Sequence, residues 1–184
     1  MMTILANGKY KSVMDLNSED ISLREIATRL GRICRFDGRI DRFYSVAEHV
    51  VNLSWYFKES PELSFEALHH DDHEAYIGDI ITPIKRLMGQ EFEVMDNHTS
   101  AVTREFFGLS PELDPRIKIA DKSIATNEAQ EMRPPFDWET AGWSKPLKNM
   151  KLRFTDGKPL LAARFYMLRH WHLINQMPEL GAVA

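Results

Sequence analysis

Apolar positions along this chain recur at helical spacing. In SLREIATRL, Ile26 and Leu30 lie one turn apart and predict a first short helix. Ser45, with Glu48 three residues on, reads as a capping box, and Val46, Val50 and Leu53 follow it at helical intervals. A third helix is expected from near Ser64 through ALHHDDHEAYIGDI to Gly78, where glycine suits a helix stop. Thr82-Pro83 opens a short helical turn. Phe92, Met95, Val102 and Phe106 predict a longer helix over roughly 91–107. Ser110-Pro111 and Asp114-Pro115 are both start signals, and the helix carrying Ile117, Ile124 and Ala125 should run to about Met132 and end at Pro134-Pro135. Residues 133–158 mix prolines and glycines with polar residues, Trp138 and Trp143, and read as a loop. LLAARFYMLRHWHLINQM is the last helix, with Phe165, Leu168 and Trp171 as core or subunit contact. No segment alternates convincingly as a strand. The expectation is an all-α fold, a single domain over 1–184 packed around a polar centre.

Composition narrows the class. A length of 184 residues suits one domain with a full core. A net charge of −4 argues against a stable nucleic-acid partner or an anionic membrane surface. The single cysteine, Cys34, excludes an internal disulfide and a cysteine-rich zinc site. The apolar run near the N-terminus is too short for a signal peptide, and no stretch approaches the ~20 apolar residues of a membrane span. A cytoplasmic protein in a reducing environment is expected.

The stretch 67–80 holds three histidines and four carboxylates in fourteen positions. On a helix, His70, Asp71 and Glu74 share one side, whereas His69 and His73 form a rival pair about 100° away. Phe65, Leu68 and Ile77 mark the buried side and place Asp71 and Glu74 at its edge, which favours the first set. A buried acid is costly unless paired or metal-bound, and His beside Asp suits a divalent ion with nitrogen and oxygen ligands. His49 on the capped helix and Asp121 amid Ile119, Ala120 and Ile124 complete a candidate set of four. The bland alternatives are a satisfied core histidine and a salt bridge from Asp121 to Lys118 or Lys122.

RFDGRIDRFYSVAEHV, LHHDDHEAYIGDIITPIK and IKIADKSIATNEA, in that order, resemble the HD-domain metal-dependent phosphohydrolases. The likeness is to the small nucleotidases: bacterial 5′-deoxynucleotidases and the related phage deoxyadenosine triphosphate triphosphohydrolases. It covers about residues 15–132, leaving a C-terminal loop and helix over 133–184. The resemblance implies His49, His70, Asp71 and Asp121 as ligands of a divalent metal ion such as Co2+, Mn2+, Zn2+ or Mg2+. It implies Glu74 as the catalytic carboxylate and Asp79 as a second one, for which turn chemistry after Gly78 is the alternative. Arg35 and Phe36 match an arginine–aromatic pair that contacts phosphate and packs on the base. Phe36 stands where the family usually has Trp, keeping a stacking surface worth ~1–3 kcal/mol per base but losing an N–H donor. Lys85 matches a lysine that is a second phosphate candidate. His69 and His73 match no ligand position and read as a solvated pair or as supports behind the ligands. Asp72 replaces a small residue and is expected to face water. Glu128, seven residues after Asp121, either lines the pocket or pairs with an arginine.

The implied function is metal-dependent hydrolysis of deoxynucleotides. Six arginines against three acids between Arg24 and Arg42 tilt the expectation towards a dATP (dNTP) triphosphohydrolase that releases deoxynucleoside and triphosphate. The alternatives are a 5′-deoxynucleotidase acting on dNMPs and a catalytically silent nucleotide- or nucleic-acid-binding module. By resemblance, a homo-oligomer, dimer or hexamer, is expected, and a phage origin fits the compact chain.

Overall fold

The computed structural model describes residues 1–5, 7–133 and 135–177. Among the described residues there are eight α-helices: α1 (Leu23–Leu30), α2 (Val46–Tyr56), α3 (Pro61–His69), α4 (Glu74–Ile77), α5 (Thr82–Met88), α6 (Gln90–Phe106), α7 (Pro115–Met132) and α8 (Pro159–Ile174). The fold is all-α and a single domain. Its local start signals act as the residues suggest. The Ser45 hydroxyl accepts from the Glu48 N–H while the Glu48 carboxylate accepts from the Ser45 N–H, closing the box at the head of α2. The Asp114 carboxylate accepts from the Arg116 N–H to cap α7, with Pro115 at its first position. Pro134, half of the expected terminator of α7, lies outside the described residues, as do residues 178–184.

Three expectations need correction. A short antiparallel hairpin, β1 (Met2–Ile4) with β2 (Tyr10–Ser12), precedes the helices. Strands of three residues are too brief for alternation to register, and the visible signal is the turn at Asn7-Gly8, where Gly8 has φ 81°. The helix expected from Ser64 to Gly78 starts earlier, at Pro61 behind the cap Ser60, and breaks after His69. The chain then turns through residues 70–73 before α4. Tight i→i+3 bonds carry the break: Glu74 N to Asp71 O at 3.0 Å, Ala75 N to Asp72 O at 3.1 Å and Tyr76 N to His73 O at 2.9 Å. Finally, Phe165, Leu168 and Trp171 are exposed on α8, so of the two roles expected for them, core or subunit contact, the core role falls.

Helix α2 is the axis of the packing. Every residue from Val46 to Ser54 is buried, as in a helix covered on all sides. Helices α3 and α8 pack on it and on each other, α1 packs on α8, and α7 closes the remaining side of α2 and α3. The larger core gathers Val50, Leu68 and Tyr166, and a second cluster gathers Leu53, Ala67, Ile117 and Ile124. No described helix is long and apolar enough to cross a membrane. The seam between α2, α7 and the turn after α3 is where the polar centre sits.

Candidate metal centre

His49 comes from α2, His70 and Asp71 from the turn after α3, and Asp121 from α7. His49 Nε2 lies 3.1 Å from Asp121 Oδ1 and 3.6 Å from Asp71 Oδ2. His70 Nε2 lies 3.1 Å from Asp71 Oδ2 and 3.9 Å from Asp121 Oδ1. His49, His70 and Asp121 each offer a donor atom within 4.8 Å of the others, a group able to hold a metal ion.

The histidines are oriented from behind. His49 Nδ1 is 2.7 Å from Glu128 Oε1, and His70 Nδ1 is 2.9 Å from the Ala67 carbonyl. Both Nε2 atoms are buried and make no hydrogen bond of good geometry. One nitrogen anchored and the other aimed into a buried acidic cleft is the arrangement of ligating histidines. The residues therefore fit a divalent ion with mixed nitrogen and oxygen ligands.

The electrostatics agree. Burial works against charge on His70, but Asp71 and Asp121 raise its pKa well above the ordinary value. His49 is also raised: burial and Arg35 oppose its charge, and Glu128 and Asp121 outweigh them. Burial opposes ionisation of Asp71 and Asp121, yet the two histidines hold both carboxyls below their usual range. Metal ligation uses the same lone pairs that hold these protons.

Glu74 is 5% exposed, and its Oε2 has no hydrogen-bond partner. Burial, then Asp71 and Asp79, push its pKa well above the ordinary value. Asp79 follows Gly78, and burial raises its carboxyl as well, against the pull of Arg35. Arg35 is wedged among the acids, with Nε 3.3 Å from Glu128 Oε2 and Nη1 3.8 Å from Asp71 Oδ2. Burial disfavours its charge, but Glu128, Asp79, Asp121 and Asp71 hold the guanidinium protonated. Its carbon Cζ also lies 5.4 Å from the Phe36 ring centre. Phe36 and Asp37 both have left-handed backbone, φ 58° and 55°, a strained conformation that costs ~1–3 kcal/mol each and clusters at functional sites.

Among the described residues, the ion pair of Lys85 is not with a candidate ligand. Lys85 lies 3.6 Å from Asp96, which also lies 3.4 Å from His73. Its charge still favours the ionised forms of Glu74 and Asp79. Asp72 does not face water. It is fully buried and accepts from Tyr166 Oη at 2.6 Å, while His69 Nδ1 lies 2.7 Å from its other oxygen. His69 Nε2 continues to His170 Nδ1 at 3.0 Å. His69 and His73 are thus buried and turned to different partners, neither solvated nor a pair.

Sequence reasoning missed two contributors. Tyr44 donates to Glu128 at 2.9 Å and receives a hydrogen bond from Asn52. Its only sequence cue was its place beside the capping Ser45. Trp143, in the 133–158 segment, lies nearly parallel to Phe36 with ring centres 6.3 Å apart. Glu128 had a real cue, its register with Asp121, and it makes both kinds of contact: an arginine pair and a histidine anchor.

No protein-family model matches the chain. It is 39% identical over 126 residues to the uncharacterized protein YfdR of Escherichia coli (strain K12), a match spanning 68% of this chain and 69% of the relative. It is 32% identical over 133 residues to the uncharacterized protein RCAP_rcc00048 of Rhodobacter capsulatus, spanning 68% of each. Identity of this order over two thirds of both lengths places the chain in the family that includes YfdR and RCAP_rcc00048.

Proposed function

We propose that this protein is a metal-dependent phosphohydrolase of the HD type acting on deoxynucleotides. The observation that carries the reading is the pair of buried Nε2 atoms, on His49 and His70, aimed without hydrogen bonds at Asp71 and Asp121. His49, His70, Asp71 and Asp121 hold the ion, with Mn2+, Co2+, Zn2+ and Mg2+ as the candidates. A divalent ion held there supplies a Lewis acid for phosphoryl oxygens and an acidified water. Glu74, held protonated by burial and by Asp71 and Asp79, donates a proton to the leaving oxygen. Asp79 stands as the second carboxylate beside it. Arg35, fixed by Glu128, presents its remaining N–H groups to phosphate oxygens as charge builds on them. Phe36 packs on the base, and Lys85 adds positive charge at the edge of the cleft. The working form is a homo-oligomer in the cytoplasm, by the same resemblance.

A dATP triphosphohydrolase is the first reading. A 5′-deoxynucleotidase is the second, and one observation favours it: the arginines behind the triphosphate reading are largely engaged. Arg29 contacts Glu25 at 2.5 Å, Arg39 contacts Asp37 at 3.2 Å and Arg42 contacts Glu131 at 3.6 Å. Incubation with each deoxynucleoside mono- and triphosphate plus each candidate metal, with chromatography of products, separates the readings. Deoxynucleoside with intact triphosphate supports the first, and deoxynucleoside with orthophosphate from monophosphates alone supports the second. Absence of turnover with every metal overturns both and leaves a silent binding module.

A further inference from the structure

A cavity of about 300 Å3 lies between α2 and α8. Its α2 wall includes Val51 and Trp55, on the side of that helix roughly opposite His49, so it is distinct from the histidine–aspartate centre. Its α8 wall includes Phe165 and Leu168, two of the exposed apolar residues that the core does not use.

Two cations converge at this cavity. Arg153 and Arg169 both stack on the Trp55 indole, 4.3 Å and 3.9 Å from the ring centre. Arg169 is 5% exposed and pinned: its Nε donates to Ser54 Oγ at 2.9 Å, and one terminal nitrogen donates to the Ser54 carbonyl and Ser64 Oγ. All of these acceptors are neutral. Glu48, the one acid among the described residues of the lining, is committed to the Thr155 N–H and to Ser45. Burial, and then the charge of Arg153, lower the pKa of Arg169 to about 10, the mark of a cation without a counter-charge. In the same lining the Thr155 hydroxyl is buried and has no hydrogen-bond partner.

A guanidinium fixed by neutral oxygens, a second one beside it, and an unused hydroxyl at the rim of an apolar cavity complement one kind of guest. We propose that this cavity binds a small organic anion, with a carboxylate or phosphate head at Arg153, Arg169 and Thr155 and an apolar body between Trp55, Phe165 and Leu168. Guanidinium groups suit either head because their N–H forks match its oxygens. The volume is at the lower end for small-molecule sites, so the body is no larger than two or three aromatic rings or a medium-length alkyl chain.

The test is fluorescence titration of the full chain with 8-anilinonaphthalene-1-sulfonate and with N-phenyl-1-naphthylamine, the same body without the charge. The sulfonate should bind at one site per chain at least about 10-fold more tightly than the neutral compound, the worth of one charge-assisted hydrogen bond. Arg153→Gln, at an exposed position, should remove that preference without changing the circular dichroism. Displacement of the probe by decanoate or by phenyl phosphate then assigns the head group. Equal affinity for the two probes, or an Arg153→Gln chain that keeps the preference, overturns the proposal. So does probe binding that disappears as sedimentation shows the chain self-associating, because a second copy would then be the occupant.

Discussion

Each histidine of 67–80 has its own partner, and that sorts the effects of substitution. His70 and Asp71 face the cleft, whereas His73 is spent on Asp96. Asp71→Ala should therefore lower Mn2+ affinity by more than the ~10–100-fold that a supporting residue controls, and abolish turnover. His73→Ala should leave most of both. Calorimetric titration of the two variants checks this, and a dead His73→Ala beside an active Asp71→Ala would mean the faces are misassigned. Glu128 sits one step behind. It anchors His49 Nδ1, takes the Tyr44 hydroxyl and pairs with Arg35 while fully buried. Glu128→Gln keeps the shape but removes the charge, so metal affinity should fall by ~10–100-fold with the fold intact. Unchanged affinity would show that Glu128 serves the arginine alone.

At the scale of elements, α1 and α8 meet through a glycine. Gly31 follows α1 in ordinary right-handed backbone, but a Cβ there would lie 2.5 Å from the Pro159 carbonyl and 3.2 Å from the Ala163 nitrogen. Both are backbone atoms at the start of α8 and have no rotamer to yield. Gly31→Ala should push the helices apart and cost ~1–3 kcal/mol, read as a lower urea midpoint at unchanged slope. An unaltered midpoint would show that the start of α8 is not held at this contact. That close approach left no mark in the sequence, because a glycine after a helix reads as a stop signal. Caps and stops were legible because they are local: Ser45 with Glu48, Asp114-Pro115 and Gly78 each act within a few residues. The break after His69 was not legible, since it is settled by distant partners. His69 and Asp72 are drawn to α8, and His70 and Asp71 to α2 and α7, and one straight helix cannot serve both. The group of His49, His70 and Asp121 that could hold an ion was readable from residue types and order. Tyr44 and Trp143 were not, because they meet the site only through the fold.

Across the whole molecule, the polar layer continues from the centre into the apolar core. Tyr166, Asp72, His69 and His170 form a buried chain of hydrogen bonds that ties the turn after α3 to α8. The rings of Phe65, Phe107 and Trp171 surround its His170 end. There burial, with His69 alongside, lowers the pKa of His170 to about 3. The sign follows from linkage. An unfolded chain protonates this histidine near the ordinary value of about 6.5, while the folded chain resists until far lower pH. The stability that comes from keeping His170 neutral is complete above pH ~6.5 and is lost as pH falls from there towards 3. One proton sets the slope at ~1.4 kcal/mol per pH unit across the window. Carboxylates titrate in the lower part of the same range, so the contribution of His170 is isolated by comparison with His170→Gln, which has no titrating ring and can still hydrogen-bond to His69. Urea unfolding at pH 7, 6, 5 and 4 should show the parent chain losing its advantage over the variant steadily below pH 6.5. A gap between the two that stays constant from pH 7 to 4 would mean that His170 protonates in the folded chain as easily as in the unfolded one. The core around it would then be open to water, and the tie between the turn and α8 would not be the dry network that its distances describe.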